Sequence, residues 1–150
     1  MKVIFLDIDG VLNSDKWFRT MPGKSQPYPD ANIDDEALDM LVKFVNLYNI
    51  KLVISSSWRM HTLDDTIIDF KECKLRKLVP YIIDVTPHIW NKGRGDEIDL
   101  WLKNQNKEIE FVIIDDDNFD IHQKDHLVQT DPIYGLTEED LIKTSKILKL

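Results

Sequence analysis

Three runs of consecutive apolar residues punctuate the chain: Val3-Ile4-Phe5-Leu6, Leu52-Val53-Ile54 and Phe111-Val112-Ile113-Ile114. They are rich in β-branched residues and lack polar alternation, the pattern of strands buried on both faces. Tyr81-Ile82-Ile83 is a fourth, weaker candidate. Between the first two runs, Leu38, Leu41, Val42 and Val45 recur at helical spacing and predict a helix over 34–48, with Asp34 as N-cap and Ile33 stapled to Leu38. A helix over 94–102 is predicted behind the Gly93/Gly95 break, and Thr137-Glu138-Glu139-Asp140 reads as a capping box opening a last helix that runs to about residue 148. Residues 63–78 are expected to be helical in part, because the period fails over 73–77. The stretch 13–33, with Pro22, Gly23, Pro27 and Pro29, is expected to be a long loop, and such loops in compact domains tend to be functional or mobile.

Strands alternating with helices predict an α/β fold: a three-layer α/β/α sandwich around a mainly parallel sheet, since parallel neighbours need crossovers that cover both faces. The 150 residues suit a single domain spanning 1–150, with no internal repeat or linker. Asp and Glu number 27 against 19 Lys and Arg, a net charge of −8, so non-specific binding of duplex DNA through its phosphates is not expected. Cys73 is the only cysteine, which excludes a disulfide framework and a thiolate zinc cluster. No signal peptide or membrane-spanning run is seen, and the expected location is cytoplasmic.

The polar residues just beyond the buried runs carry the chemistry. Asp7 and Asp9 come after the first, Ser55-Ser56-Ser57 after the second and Asp115-Asp116-Asp117 after the third. In an open parallel sheet ligands bind outside the carboxyl ends of the strands, so these groups should converge on one crevice. Carboxylates crowded there repel one another and must take up protons, splay into solvent or hold a cation, and an all-oxygen set favours a hard one such as Mg²⁺. Taken singly, each cluster also reads as an ordinary Asp- or Ser-rich turn. A calcium-loop reading of Asp7-Ile8-Asp9-Gly10 fails because Val11 stands where an oxygen ligand is needed. A zinc reading of His122 and His126 lacks a third ligand.

Phe5-Leu6-Asp7-Ile8-Asp9-Gly10-Val11-Leu12 resembles the first motif of the haloacid dehalogenase (HAD) superfamily of phosphotransferases. Ile54-Ser55-Ser56-Ser57-Trp58-Arg59 resembles the second, Lys92-Gly93-Arg94-Gly95-Asp96-Glu97-Ile98 the third and Ile113-Ile114-Asp115-Asp116 the fourth, in the same order across nearly the whole chain. The Ser-x-Ser-Trp-Arg form, the Arg-Gly-x-Glu-Ile helix start and the final Gly-Leu-Thr helix are similar to HAD domains associated with RNA-repair proteins and, more distantly, to the phosphatase half of polynucleotide kinase-phosphatases.

The resemblance implies a HAD-like fold and a Mg²⁺-dependent phosphomonoester hydrolase. Asp7 is then the nucleophile that forms an aspartyl-phosphate, and Asp9 the acid that protonates the leaving oxygen and later activates water. The metal is expected on Asp7, the backbone carbonyl of Asp9 and Asp116, with Asp115 or Asp117 behind them; the choice among the three consecutive acids stays open. Ser56 is expected to bind a phosphate oxygen, assisted by the Ser57 amide and with Gly10 also against the substrate. Arg94 at a helix start is expected to offset the phosphoryl charge, with Lys92 as competitor. Trp58 is read as core, and Arg59 either lines the site or pairs structurally.

Neither gap between motifs is long enough for an independent cap, so the site is expected to be cap-less and open, suiting a phosphate on a nucleic-acid end, nucleotide or phosphoprotein. Lys16, Trp17, Phe18, Arg19 and Lys24 lie just after the first motif; they either hold a nucleotide by charge and stacking or pack their aromatics onto the domain. Small-metabolite phosphatase and non-catalytic binding module remain the alternatives.

Overall fold

The computed structural model describes residues 1–20 and 26–150. Five strands, β1 (Lys2–Leu6), β2 (Lys51–Ile54), β3 (Ile82–Val85), β4 (Glu110–Asp115) and β5 (Leu127–Gln129), form one sheet in the order β3-β2-β1-β4-β5, parallel throughout. The α-helices among the described residues are α1 (Asp15–Arg19), α2 (Asp35–Leu47), α3 (Leu63–Lys71), α4 (Arg94–Lys103) and α5 (Glu138–Ile147).

Alternation along β1 divides the core. Ile4 and Leu6 join Leu52, Ile54, Val112 and Ile114 on one face, covered by Leu38, Leu41 and Val45 of α2, Phe70 of α3 and Leu141 of α5. Val3 and Phe5 join Val53 and Ile113 on the other, covered by Ile98 and Trp101 of α4; the Phe5 and Trp101 rings meet edge to face at 5.3 Å. The result is the three-layer α/β/α sandwich expected from the hydrophobic pattern, with no separate cap domain among the described residues.

Helix starts follow their local chemistry. The Asp34 carboxylate accepts from the Glu36 amide at 2.9 Å, capping α2, and Thr137 and Asp140 form the reciprocal capping box of α5. The long stretch after β1 is less irregular than expected. It holds α1, capped by the Ser14 hydroxyl on the Trp17 amide at 3.0 Å, and a 3₁₀ turn at Asp30–Asn32. Lys24 lies outside the described residues. Residues 63–78 divide into α3 and a 3₁₀ turn at Lys74–Lys77, with buried Cys73 between them.

Candidate active site

β1 turns the site toward α4. Leu6 lies in register with Ile54 on one side and Ile114 on the other, so the next residues, Asp7, Ser55 and Asp115, form a row at the carboxyl edge. Its backbone ties are the Asp7 amide to the Ile114 carbonyl at 3.0 Å and the Ser55 amide to the Leu6 carbonyl at 2.9 Å. The row straddles β1 and β4, where the strand order reverses, the usual place for a ligand crevice. By alternation Asp7 and Asp115 follow Phe5 and Ile113 onto the α4 face, above which α4 begins with Arg94. Arg94 Nη1 reaches Asp115 Oδ2 at 2.7 Å and Asp7 Oδ1 at 3.2 Å.

Asp116 completes the cluster: one carboxylate oxygen from each of Asp7, Asp115 and Asp116 lies within 4.8 Å of the others. Gly10 makes this approach possible. It has φ of +75°, and a β-carbon there would stand 2.3 Å from Asp116 Oδ2. A cleft of about 170 Å³ opens over the cluster, lined by Asp7, Arg94, Asp115, Asp116, Asp117 and Asp120.

Burial dominates the electrostatics. Desolvation, then the Asp115 charge, raises the Asp7 carboxyl from 3.8 to about 6, although Arg94 and the Ser56 hydroxyl pull it down. Desolvation also raises Asp115, partly offset by Arg94, and raises Asp116 with the Asp7 charge adding to it. Burial alone would lower the Arg94 guanidinium, but Asp7 and Asp115 outweigh it and hold the group above its ordinary value. One guanidinium against three converging carboxylates leaves negative charge in excess.

Asp9 stands apart from that cluster, exposed. Its Oδ1 accepts from Asn13 Nδ2 at 2.9 Å and Trp58 Nε1 at 3.0 Å. Oδ2 has no hydrogen bond among the described residues. Asn13 escapes a reading of the sequence, where an Asn after Leu12 looks like a turn residue; buried, it also accepts from the Gly10 amide at 2.8 Å. The Gly10 amide is thus committed to Asn13, and the Gly10 carbonyl accepts from Thr130 Oγ1 at 2.7 Å. The Ser56 hydroxyl is buried beside Asp7, whereas Ser55 Oγ is buried with no partner among the described residues, and Ser57 is exposed. Trp58 is half-buried against the core with its indole N–H turned to Asp9.

Arg59 is a structural tie. Its buried guanidinium donates to the Thr86 carbonyl at 2.9 Å, the Ser56 carbonyl at 2.7 Å and Glu97 Oε2 at 2.7 Å, joining the Ser56 loop to α4. Lys92 is exposed, outside the cleft lining, and its side chain has no partner among the described residues; the ion pairs to the acids come from Arg94. Trp17 is packed, 9% exposed, with its indole N–H on the Ala31 carbonyl at 2.8 Å and Lys74 Nζ 5.2 Å from the ring centroid. With Lys16 it borders a separate cleft between α1, α2 and α5, so the structure does not bring it to the carboxylates; Arg19 is exposed at the end of α1. His122 binds Asp99, and His126 stacks on Phe111.

The three carboxylates fit a hard divalent cation. The donors are all oxygen, their charge exceeds the single arginine, and the missing β-carbon of Gly10 makes room for the third acid. Asp7, Asp115 and Asp116 are the side chains that would hold it. No helix among the described residues is long and apolar enough to cross a membrane. Nothing among curated proteins or solved structures matches the chain. A family model described as the HAD domain in Swiss Army Knife RNA repair proteins matches residues 3–141. Covering nearly the whole chain and all four motifs, this match shows that the protein belongs to that family of HAD domains.

Proposed function

We propose that this domain, acting as one unit over residues 1–150, is a Mg²⁺-dependent phosphomonoester hydrolase working through an aspartyl-phosphate, with nucleic-acid ends or nucleotides as substrates. The observation that carries this reading is the meeting of Asp7, Asp115 and Asp116 with Arg94 and Ser56 at the carboxyl edge of the sheet.

In the first half-reaction an Asp7 carboxylate oxygen attacks phosphorus. The ester P–O bond breaks, and Asp9 gives its proton to the departing alkoxide. In the second, Asp9 takes a proton from water, the water oxygen attacks phosphorus, and the bond to Asp7 breaks to release phosphate. Asn13 and Trp58 hold Asp9 Oδ1 from two directions, leaving Oδ2 for the proton. Arg94 and the Ser56 hydroxyl, both in contact with Asp7, would donate to the phosphoryl oxygens of a bound substrate, where preorganised donors act most strongly on developing charge. A bound Mg²⁺ supplies the positive charge that lets the carboxylates and the phosphoryl group share the cleft.

The reading is tested by release of phosphate from a generic aryl phosphate by the purified protein. Turnover that needs Mg²⁺, ends with EDTA and is absent in Asp7→Asn is expected. Retained partner binding without turnover on any phosphomonoester would replace it with a binding module.

A further inference from the structure

Trp90 and Phe119 are 95% and 87% exposed, the two highest values among the large apolar side chains described. Single exposed aromatics are ordinary, but these two share a location. Trp90 sits inside a turn closed by the Lys92 amide on the Ile89 carbonyl at 3.3 Å, with Asn91 at φ of 59°. Phe119 sits inside a turn closed by the Ile121 amide on the Asn118 carbonyl at 3.4 Å, its own amide held by Asp117 Oδ1 at 2.9 Å.

The two turns meet beside Arg94. The Gly95 amide donates to the Asp120 carbonyl at 2.8 Å, and a β-carbon on Gly93 would lie 2.6 Å from that of Asp120. Asp117 and Asp120, on either side of Phe119, line the cleft over Asp7, and the Trp90 turn leads into it through Arg94, so the two rings stand outside the lining on the segments that border it. The Trp90 turn is also anchored to the phosphate-handling side. Glu97 Oε1 accepts from the Ile89 amide at 3.2 Å, and Glu97 Oε2 pairs with Arg59, which holds the Ser56 carbonyl. These contacts fix the backbone that carries Trp90, which limits the freedom lost on binding.

Apart from the half-buried Ile89, the residues flanking the rings, Asn91, Asn118 and Asp120, are polar, as is Lys92 one further along, so the rings stand as separate faces and not as a broad apolar patch of the kind a protein partner needs. Isolated rings beside a lysine with no partner among the described residues suit single-stranded nucleic acid, whose bases stack on aromatics while cations track the backbone. We propose that Trp90 and Phe119, with Lys92, form a stacking rim for the unpaired nucleotides that end a nucleic-acid strand, while the terminal phosphate enters the Asp7 cleft. The phosphatase reading above supplies only the last part.

The test compares kcat/KM for 3′- and 5′-phosphorylated single-stranded RNA oligonucleotides with that for glycerol phosphate, which has no ring to stack. Trp90→Ala and Phe119→Ala are each expected to lower the oligonucleotide-to-glycerol-phosphate ratio roughly tenfold, with Trp90→Phe retaining most of it. An unchanged ratio in both alanine variants overturns the rim while leaving the phosphatase standing. If wild type hydrolyses neither substrate, the phosphatase reading fails and binding of the same oligonucleotides decides: weaker binding by the alanine variants supports the rim, equal binding overturns it.

Discussion

A β-carbon on Gly10 would lie 2.3 Å from Oδ2 of Asp116, so the first motif's glycine and the last motif's acid occupy each other's space. The residue that lets the chain turn after Asp9 is also the one that admits the third carboxylate. Gly10→Ala is therefore expected to move Asp116 and to strain a backbone at φ of +75°, costing on the order of 1–2 kcal/mol in stability. Thermal unfolding with and without Mg²⁺ checks this: stabilisation by the ion should shrink markedly in the variant.

The buried acids destabilise the metal-free protein at neutral pH. The Asp7 carboxyl is raised in the folded state from 3.8 to about 6, so the fold binds its proton more tightly than the unfolded chain does. Its contribution to stability is then fully present below about pH 4 and is lost as pH rises through 6. Asp7→Asn should be more stable than wild type in EDTA at pH 7, by on the order of 2 kcal/mol, with the gap closing toward pH 4. Chemical denaturation of both proteins across that range measures it. A constant gap would show that Asp7 carries no such shift.

The two serines of the second motif should separate. Ser55 Oγ is buried without a partner among the described residues, whereas the Ser56 hydroxyl lies beside Asp7. Ser55→Ala is expected to be neutral or stabilising, by up to about 1 kcal/mol, with turnover kept. Ser56→Ala is expected to lower kcat/KM by roughly one to two orders of magnitude through loss of a donor to the phosphoryl group. Equal kinetic effects would contradict the assignment.

Arg59 and Glu97 form a buried ion pair at 2.7 Å that joins two loops and a helix. Removing one member leaves the other charge uncompensated, at a cost of about 3–5 kcal/mol. Arg59→Met and Glu97→Leu are each expected to destabilise by that order, and the double variant by clearly less than the sum. Strict additivity in urea unfolding would show that the pair is not coupled.

The sheet and the convergence of the carboxylates were legible because fully buried strands write themselves as unbroken apolar runs, and parallel register then sets the residues just beyond each run in one row. β5 was not legible: Leu127–Gln129 offers three residues, of which only Val128 is buried, too few for any period to show. α1 hid in a proline-rich stretch because a five-residue helix has no repeat to detect; only its Ser14 cap marks it. Trp17 illustrates the limit of composition. An aromatic among lysines reads equally as a stacking platform or a packed flap, and only the Ala31 and Lys74 contacts decide for packing. The choice of Arg94 over Lys92 as the partner of the acids likewise needed geometry, since both residues precede or open the same helix.

On the proposed mechanism Asp7 becomes phosphorylated during turnover. An aryl leaving group departs without a proton, so Asp9→Asn should complete the first half-reaction and stall in the second. Asp9→Asn mixed with aryl phosphate and Mg²⁺, acid-quenched and analysed by mass is expected to carry one phosphoryl group on the peptide containing Asp7, and none when Asp7→Asn is added to the same chain. Turnover by wild type with no phosphoryl group trapped on that peptide would rule out the aspartyl-phosphate.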